Sequence, residues 1–328
     1  MNVLIIGAAG MIGRKLTQAL LAQGHVERHE IASLTLADVM APPAPTTSIP
    51  CTCVAADLSD ADTAASLVAS RPSLIFHLAA IVSGEAEVDF DKGYRINLDG
   101  TRHLLEAIRH QHATEPYRPR VVFTSSIAVF GEPLPAAIPD DQAHTPLTSY
   151  GTQKAICELL LADYSRRGFV DGIGIRLPTI VVRPGAPNKA ASGFFSGIIR
   201  EPLAGHDAVL PVDESVRHWF ASPRAAVSFL LRAASLDTAA LGQRRNLTMP
   251  GLSATVGEEI AALQRIAGPR AVARIHKAMD PTIAAIVAGW PQNFDPARAL
   301  QLGFRADASF DAIVRAHIED ELGGNIAG

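Results

Sequence analysis

The fold is decided near the start of the chain by the stretch VLIIGAAGMIG, residues 3–13. Its four apolar residues predict a short buried strand, and glycines at positions 7, 10 and 13 follow directly. Apolar residues at i, i+4, i+7 and i+8 from Ile12 then form one stripe, which predicts a helix that ends near Gly24. A strand, a glycine turn and a helix in this order are typical of the first unit of a parallel α/β sheet.

The same alternation continues downstream and predicts an α/β fold, a doubly wound parallel sheet of the Rossmann type. A smaller, discontinuous C-terminal domain is expected to bind substrate. We expect residues 1–180, completed by about 219–249, to form the first domain, and residues 181–218 with 250–328 the second. The predicted strands are Val3–Ile6, Ser33–Ala37, Thr52–Ala55, Leu74–Leu78, Val121–Thr124 and Ile173–Leu177, and helices are predicted over 61–69, 94–110 and 149–165.

Composition narrows the class of protein. Of 328 residues, 48% are hydrophobic and 19% charged, and the formal net charge of −4 disfavours a nucleic-acid partner. No apolar run approaches the roughly 20 residues of a membrane span, and no leader is evident, so a cytosolic protein is expected. The three cysteines provide no spaced set of four zinc ligands, and we assign no metal.

The glycine spacing predicts a dinucleotide site. The first glycine permits a tight turn, the second lets the backbone approach a pyrophosphate, and the third lets helix and strand pack closely. Met11 and Ile12 lie where the helix N-terminus offers free N–H groups to an anion. Asp38 ends the second strand, where a carboxylate accepts both ribose hydroxyls and repels a 2′-phosphate, so NAD is favoured over NADP.

Asp57 and Leu58 follow the third strand and allow two interpretations. The Asp57 carboxylate either reaches the adenine amino group or caps the next helix, and the sequence favours neither.

A second set of residues predicts proton transfer. Tyr150 and Lys154 are four apart on a predicted helix, so their side chains leave the same face. A nearby ammonium and a cationic nicotinamide ring would favour the phenolate, whose ordinary pKa is about 10, and let Tyr150 take a proton from an alcohol. Thr124, Ser125 and Ser126 end the fifth strand, where one hydroxyl can orient the substrate oxygen.

At this point the chain resembles the extended short-chain dehydrogenase/reductase family of NAD-dependent epimerases, dehydratases and dehydrogenases. The resemblance covers roughly the first 185 residues. It is carried by Gly7-Ala8-Ala9-Gly10-Met11-Ile12-Gly13, Asp38, Asp57-Leu58, His77-Leu78-Ala79-Ala80, Asn97, Thr124-Ser125-Ser126, Tyr150-Gly151-Thr152-Gln153-Lys154 and Arg183-Pro184-Gly185.

The resemblance implies roles for individual residues. Ser126, Tyr150 and Lys154 would be the catalytic triad, and Ser125 a cofactor neighbour. Asn97 would have a structural or proton-relay role. Further cofactor contacts are implied for Leu58, Ala79, Ala80 and Pro178. Because Ser126 is followed by Ile127 and Ala128 where dehydratases of the family carry an acidic pair, dehydration is disfavoured.

More narrowly, residues 81–91 and 246–253 resemble the D-erythronate dehydrogenase branch of this family. That resemblance implies NAD-dependent oxidation of the C2 hydroxyl of a four-carbon sugar acid. Two alternatives stay open: a nucleotide-sugar 4-epimerase with the same triad, and a regulator that senses NAD without chemistry.

The substrate side is less defined by the sequence. A carboxylate favours a bidentate arginine, and both Arg183 and Arg217 are candidates; either one could equally form a structural ion pair. Ser83, after the fourth strand, is a candidate for binding a substrate hydroxyl. The family also commonly forms homodimers through the helices predicted over 94–110 and 149–165, which implies a homodimer here.

Overall fold

The computed structural model describes residues 1–185 and 191–327, so part of the expected irregular segment after Arg183 lies outside the described residues. The chain divides into two compact units. The first comprises residues 1–129, 148–176 and 227–248, and the second comprises 130–147, 177–226 and 249–328. The segments 130–147, 177–180 and 219–226, which the sequence placed in the first domain, thus belong to the second unit.

A seven-stranded sheet forms the first unit. Its strands are β1 (Asn2–Ile6), β2 (Ser33–Asp38), β3 (Cys51–Ala55), β4 (Leu74–His77), β5 (Arg120–Ser126), β6 (Asp171–Leu177) and β7 (Asn246–Thr248). Their order across the parallel sheet is β7-β6-β5-β4-β1-β2-β3. The strand order reverses at β1, because β2 and β3 lie on one side of it and β4 to β7 on the other. Ligands bind parallel sheets at such a point, outside the carboxyl ends of the strands. The predicted fold class is confirmed.

Four helices of this unit bear on the site. They are α1 (Met11–Gln23), α2 (Ala61–Val68), α3 (Gly100–Thr114) and α4 (Ser149–Arg166). Gly24 ends α1 in the left-handed conformation with φ +70°, as the sequence predicts. Asp60 and Thr148 accept backbone N–H bonds at the first turns of α2 and α4, which fixes where these helices begin.

The helix expected over 94–110 differs from the prediction at its start. Residues Tyr94–Asp99 form a π-helix that continues directly into α3. Single π turns inside helices are rare and often mark functional positions. Asn97 lies in this turn and is buried.

The core of the first unit lies between the sheet and its helices. It includes Leu4, Ile75 and Phe123 of the strands, with Leu104 of α3 and Leu161 of α4, all at most 2% exposed. Because these strands are buried on both faces, they read in the sequence as continuous apolar runs.

The second unit has its own core and a three-stranded sheet of Thr179–Ile180, Arg217–Ala221 and Leu252–Thr255. Two short pairs of strands also lie in the second unit, Ala208–Leu210 with Ile275–Lys277 and Ile138–Pro139 with Phe294–Asp295. A third pair, His25–Val26 with His29–Glu30, belongs to the first unit.

The remaining α-helices of the described chain are Ser83–Val88, Phe90–Gly93, Gly193–Leu203, Pro223–Ser235, Val256–Ala267, Pro269–Val272, Pro281–Ala288, Ala297–Gln301 and Phe310–Glu321. Two 3₁₀ turns span Ile127–Val129 and Thr238–Leu241.

Candidate active site

The glycine turn connects β1 to α1 at the edge of the sheet where the strands end. Gly7 adopts φ +90°, a conformation that favours glycine, and a side chain there would lie 2.7 Å from the Ala79 nitrogen. A Cβ at Gly13 would lie only 2.2 Å from the Gly7 carbonyl oxygen. The turn therefore packs backbone against backbone, and two of its three glycines are required by space.

The N-terminus of α1 opens from this turn without a side-chain cap. Gly10 is the capping residue, and Met11 and Ile12 begin the helix, half-buried. The first N–H groups of a helix have no partner within it and carry the positive end of its dipole. An uncapped helix start beside a cradle that any side chain would fill fits the pyrophosphate of a dinucleotide.

Asp38 closes β2 next to this turn. One carboxylate oxygen accepts the Ala9 N–H at 2.9 Å and the other accepts the Val39 N–H at 2.8 Å. The carboxylate is thereby held beside the turn while keeping lone pairs for the two hydroxyls of an adenosine ribose. The structure therefore places Asp38 where the sequence expects the residue that selects NAD.

Asp57 does not cap the next helix, which removes one of its two interpretations. Its side chain accepts the Ser59 N–H at 2.9 Å, whereas Asp60 caps α2. Asp57 is exposed at the end of β3, and the neighbouring Leu58 is buried in the core. Of these two residues, Asp57 is therefore the one whose side chain is exposed.

Asn97 holds the loop that follows β4. Its amide oxygen accepts the Ile81 N–H at 2.9 Å, and its amide nitrogen donates to the Ile81 carbonyl at 3.3 Å and to the Gln153 side chain at 2.8 Å. These contacts hold Ile81, which follows the half-buried Ala79 and Ala80, and the Ala79 backbone lies against Gly7. Of the two roles that the resemblance implies for Asn97, the geometry favours the structural one.

The structure brings Ser126, Tyr150 and Lys154 together at the carboxyl end of β5. The Lys154 ammonium lies 5.7 Å from the centre of the Tyr150 ring and donates to the Thr124 carbonyl at 2.9 Å. The Ser126 hydroxyl accepts the Ala128 N–H at 3.1 Å and interacts with the Tyr150 phenol. Ser126 and Tyr150 are partly exposed, whereas Lys154 is buried.

Burial shifts the pKa values of this group in a direction that the sequence did not predict for tyrosine. It raises the pKa of Tyr150 to about 12, although the Ser126 hydroxyl opposes the rise. It also lowers the pKa of Lys154 to about 8. The expected acidic phenol combined the Lys154 charge with that of a bound nicotinamide ring, whereas in the protein alone loss of hydration dominates the pKa of Tyr150.

His77 lies behind the lysine and is neutral. Burial, helped by the Lys154 charge, lowers the pKa of His77 to about 3, and its Nε2 lies 2.9 Å from the Thr101 hydroxyl. His77 is thus a core residue, as the sequence predicts.

Ser125 has a different environment from the one that the resemblance implies. Its hydroxyl is buried and donates to the Glu158 carboxylate at 2.5 Å. Glu158 also forms a buried ion pair with Arg176 of β6 at 2.7 Å. Neither residue was predicted from the sequence. The spacing indicates one of them, because Glu158 follows Lys154 by four residues and so lies on the same helix face.

The substrate candidates differ in their partners. Arg217 donates to the Ser253 carbonyl at 2.9 Å and lies 3.4 Å from the Glu258 carboxylate. Arg183 donates to the Ser192 carbonyl and hydroxyl, and in the described part of the chain no carboxylate lies within ion-pair distance of it.

The other two candidates outside the triad are placed as follows. Pro178 is buried beside the start of the short strand at Thr179. Ser83 is half-buried and begins the helix Ser83–Val88 in the first unit.

Across residues 1–185 and 191–327, no group of three or more His, Cys, Asp or Glu side chains is arranged to hold a metal ion. Within the same ranges, no helix combines the length and apolar character needed to cross a bilayer.

The chain is similar to several known proteins along nearly its whole length. It is 48% identical to D-erythronate dehydrogenase of Cupriavidus necator over 98% of each chain. Against D-erythronate dehydrogenase of Haemophilus influenzae the identity is 43%, over 98% of this chain and all of the relative. A solved structure described as a nucleoside-diphosphate-sugar epimerase from Agrobacterium tumefaciens is 62% identical, with a TM-score of 0.98 over 100% of this chain and 96% of that one.

The model of the NAD dependent epimerase/dehydratase family matches residues 3–239, which include the glycine turn, Asp38 and the triad. The predicted enzyme class and its cofactor NAD are confirmed. On this match and these relatives, the chain is an enzyme that belongs to the NAD dependent epimerase/dehydratase family.

Proposed function

We propose that the enzyme oxidises the C2 hydroxyl of a short sugar acid with NAD, converting D-erythronate to 2-dehydro-D-erythronate. The observation that carries the proposal is the convergence of Ser126, Tyr150 and Lys154 at the carboxyl end of β5, the same edge of the parallel sheet at which the glycine turn follows β1. Two relatives similar over nearly their full lengths and named D-erythronate dehydrogenase support the choice of substrate.

Each member of the triad has a task that its geometry allows. Tyr150 accepts the proton of the C2 hydroxyl at its phenol oxygen, and Ser126, partly exposed beside it, holds the substrate oxygen. Lys154, whose pKa of about 8 leaves it mostly protonated at neutral pH, supplies a positive charge within 5.7 Å of the ring. NAD, when bound, supplies the hydride acceptor and a second positive charge.

That second charge matters because the protein alone raises the pKa of Tyr150 to about 12. Positive charges close to a phenol favour its ionised form, the phenolate. We therefore expect proton transfer to depend on the loaded site, so that Tyr150 remains a neutral phenol in the protein alone.

We assign the substrate carboxylate to Arg183. Burial and the neighbouring Arg200 charge lower the pKa of Arg183. Both act against its positive charge, which a nearby anion would stabilise. Arg200 already pairs with Glu201 at 2.5 Å, and Arg217 already has Glu258. A carboxylate ligand would give Arg183 an anion such as Arg200 and Arg217 already have.

The first test is turnover of free sugar acids. We expect NADH to form with D-erythronate and much less with other aldonic acids of four to six carbons. Tyr150→Phe should lower kcat by about 100-fold or more because the proton acceptor is lost. Full activity of that variant would contradict the mechanism.

The arginine assignment has its own test. Arg183→Met should raise the KM for D-erythronate between about 10- and 100-fold, the equivalent of losing a charged hydrogen bond of about 1.5–3 kcal/mol. Arg217→Met is the matched variant and should leave that KM near its original value. The reverse pattern would assign the carboxylate to Arg217.

A nucleotide-sugar 4-epimerase is the second candidate, favoured by the description of the 62% identical solved structure. An epimerase retains its cofactor through turnover and acts on a uridine diphosphate sugar without net NADH. Conversion of such a sugar, with no NADH from sugar acids, would establish this alternative. NAD binding without any turnover would instead support the regulator.

We also propose that the enzyme is a homodimer that associates through α3 and α4. Family resemblance supports this arrangement, and Leu159 places an apolar side chain, 67% exposed, on α4.

A further inference from the structure

Helix α4 contacts three consecutive residues of β5 with three side chains spaced four apart. Tyr150 interacts with the Ser126 hydroxyl, and Lys154 donates to the Thr124 carbonyl at 2.9 Å. Glu158 completes the series by accepting the Ser125 hydroxyl at 2.5 Å. The first two of these helix residues carry the proposed chemistry, whereas the third has no place in it.

Glu158 is well suited to hold a strand in position. It is fully buried, and Arg176 of β6 binds it through two nitrogens, with N–O distances of 2.7–3.1 Å. A bidentate guanidinium fixes the direction of the carboxylate. The Ser125 hydroxyl therefore meets an acceptor whose position is set from a neighbouring strand.

We propose that Glu158 is a positioning residue for the reaction, holding Ser125 so that the adjacent Ser126 stays aligned with Tyr150 and Lys154. This inference rests on the proposed function of the triad. It also reassigns Ser125, whose hydroxyl proton is committed to Glu158 and is not available to a cofactor. Misplacing a reacting group by about 1 Å can cost about 100-fold in rate, so a small shift of Ser126 would be measurable.

The test compares two buried hydroxyls on the same polar network. Ser125→Ala removes the bond to Glu158 and leaves the ion pair intact. Thr248→Val removes the hydroxyl that accepts from Arg176 at 3.3 Å on β7, away from β5. We expect Ser125→Ala to lower kcat between about 10- and 100-fold, with unchanged KM for NAD and a melting temperature near that of Thr248→Val. The Thr248→Val variant should keep the original kcat.

Glu158→Gln is a second variant, which keeps an oxygen acceptor for Ser125 but loses the charge that orients it. Because breaking a buried ion pair is strongly destabilising, its folding is checked by circular dichroism first. Where it folds, it should lower kcat in the same direction as Ser125→Ala. An increase in the KM for NAD with unchanged kcat in Ser125→Ala would overturn the proposal, since it would make Ser125 a cofactor contact.

A readout without turnover separates this inference from the proposed function. Amide hydrogen exchange over residues 120–130 should be faster in Ser125→Ala than in Thr248→Val, whichever substrate the enzyme uses. If the unaltered enzyme fails to oxidise sugar acids but exchange behaves in this way, the proposed function fails and the positioning role of Glu158 stands. Equal exchange and equal kcat in the two variants would overturn that positioning role alone.

Discussion

At the residue scale, the structure contains ionisable groups whose charge is decided by burial. His77 is neutral for this reason, and Tyr150 is a weaker acid than free tyrosine. Glu259, at the start of helix Val256–Ala267 in the second unit, is a further case. It is fully buried, and neither carboxyl oxygen has a hydrogen-bond partner among the described residues.

Glu259 predicts a specific dependence of stability on pH. Burial raises its pKa well above the ordinary value of 4.5, so the folded state keeps the proton that the unfolded state releases above that pH. Stability is therefore greatest below pH 4.5 as far as this group is concerned, and it is lost as pH rises through the folded pKa.

We expect Glu259→Gln to remove this loss. Denaturant unfolding of both proteins at pH 5 and pH 8 should show a free-energy difference that favours the glutamine variant more at pH 8. A difference that is the same at both pH values would show that Glu259 is ionised when folded.

At the scale of elements, the glycine turn shows how one backbone contact sets a binding site. Gly13→Ala would place a methyl group 2.2 Å from the Gly7 carbonyl, and α1 would have to move away from β1. We expect a loss of about 1–3 kcal/mol in stability, as for an overpacked core, together with weaker NAD binding.

Gly197→Ala is the control for this change. Gly197 lies in the helix Gly193–Leu203, and an added Cβ there meets nothing within 4 Å. Its unfolding free energy should rise slightly, by about 0.4–1 kcal/mol, because alanine restricts the unfolded chain. Calorimetry and NAD titration of both variants test the pair, and unchanged NAD binding in Gly13→Ala would contradict the packing argument.

At the scale of the whole molecule, association is the property open to direct measurement. A homodimer has twice the 34.7 kDa mass of the chain, which sedimentation velocity resolves at micromolar concentration. Leu159→Glu would place a charge on the exposed side of α4 and should shift the enzyme to monomers, because burying an unpaired charge is costly.

Val209→Glu is the matched change, since Val209 is also apolar and 57% exposed but lies in the second unit. It should leave the sedimentation coefficient unchanged. A monomer in the unaltered enzyme, or equal behaviour of the two variants, would remove the proposed interface.

The sequence by itself determined what depends on near neighbours in the chain. The spacing of Gly7, Gly10 and Gly13 after an apolar run predicted β1, its turn and α1, because these requirements act over a few residues. Tyr150 and Lys154, four apart, predicted a shared helix face in the same way.

Only the tertiary structure decided which side chains meet across the sheet. Ser125 and Glu158 are 33 residues apart, and Arg176 lies on another strand again. Local periodicity carries no information on such pairs, since they depend on strand order and on how α4 packs on β5. The same holds for the raised pKa of Tyr150, because the loss of water that raises it against the Ser126 hydrogen bond arises only when the pocket closes.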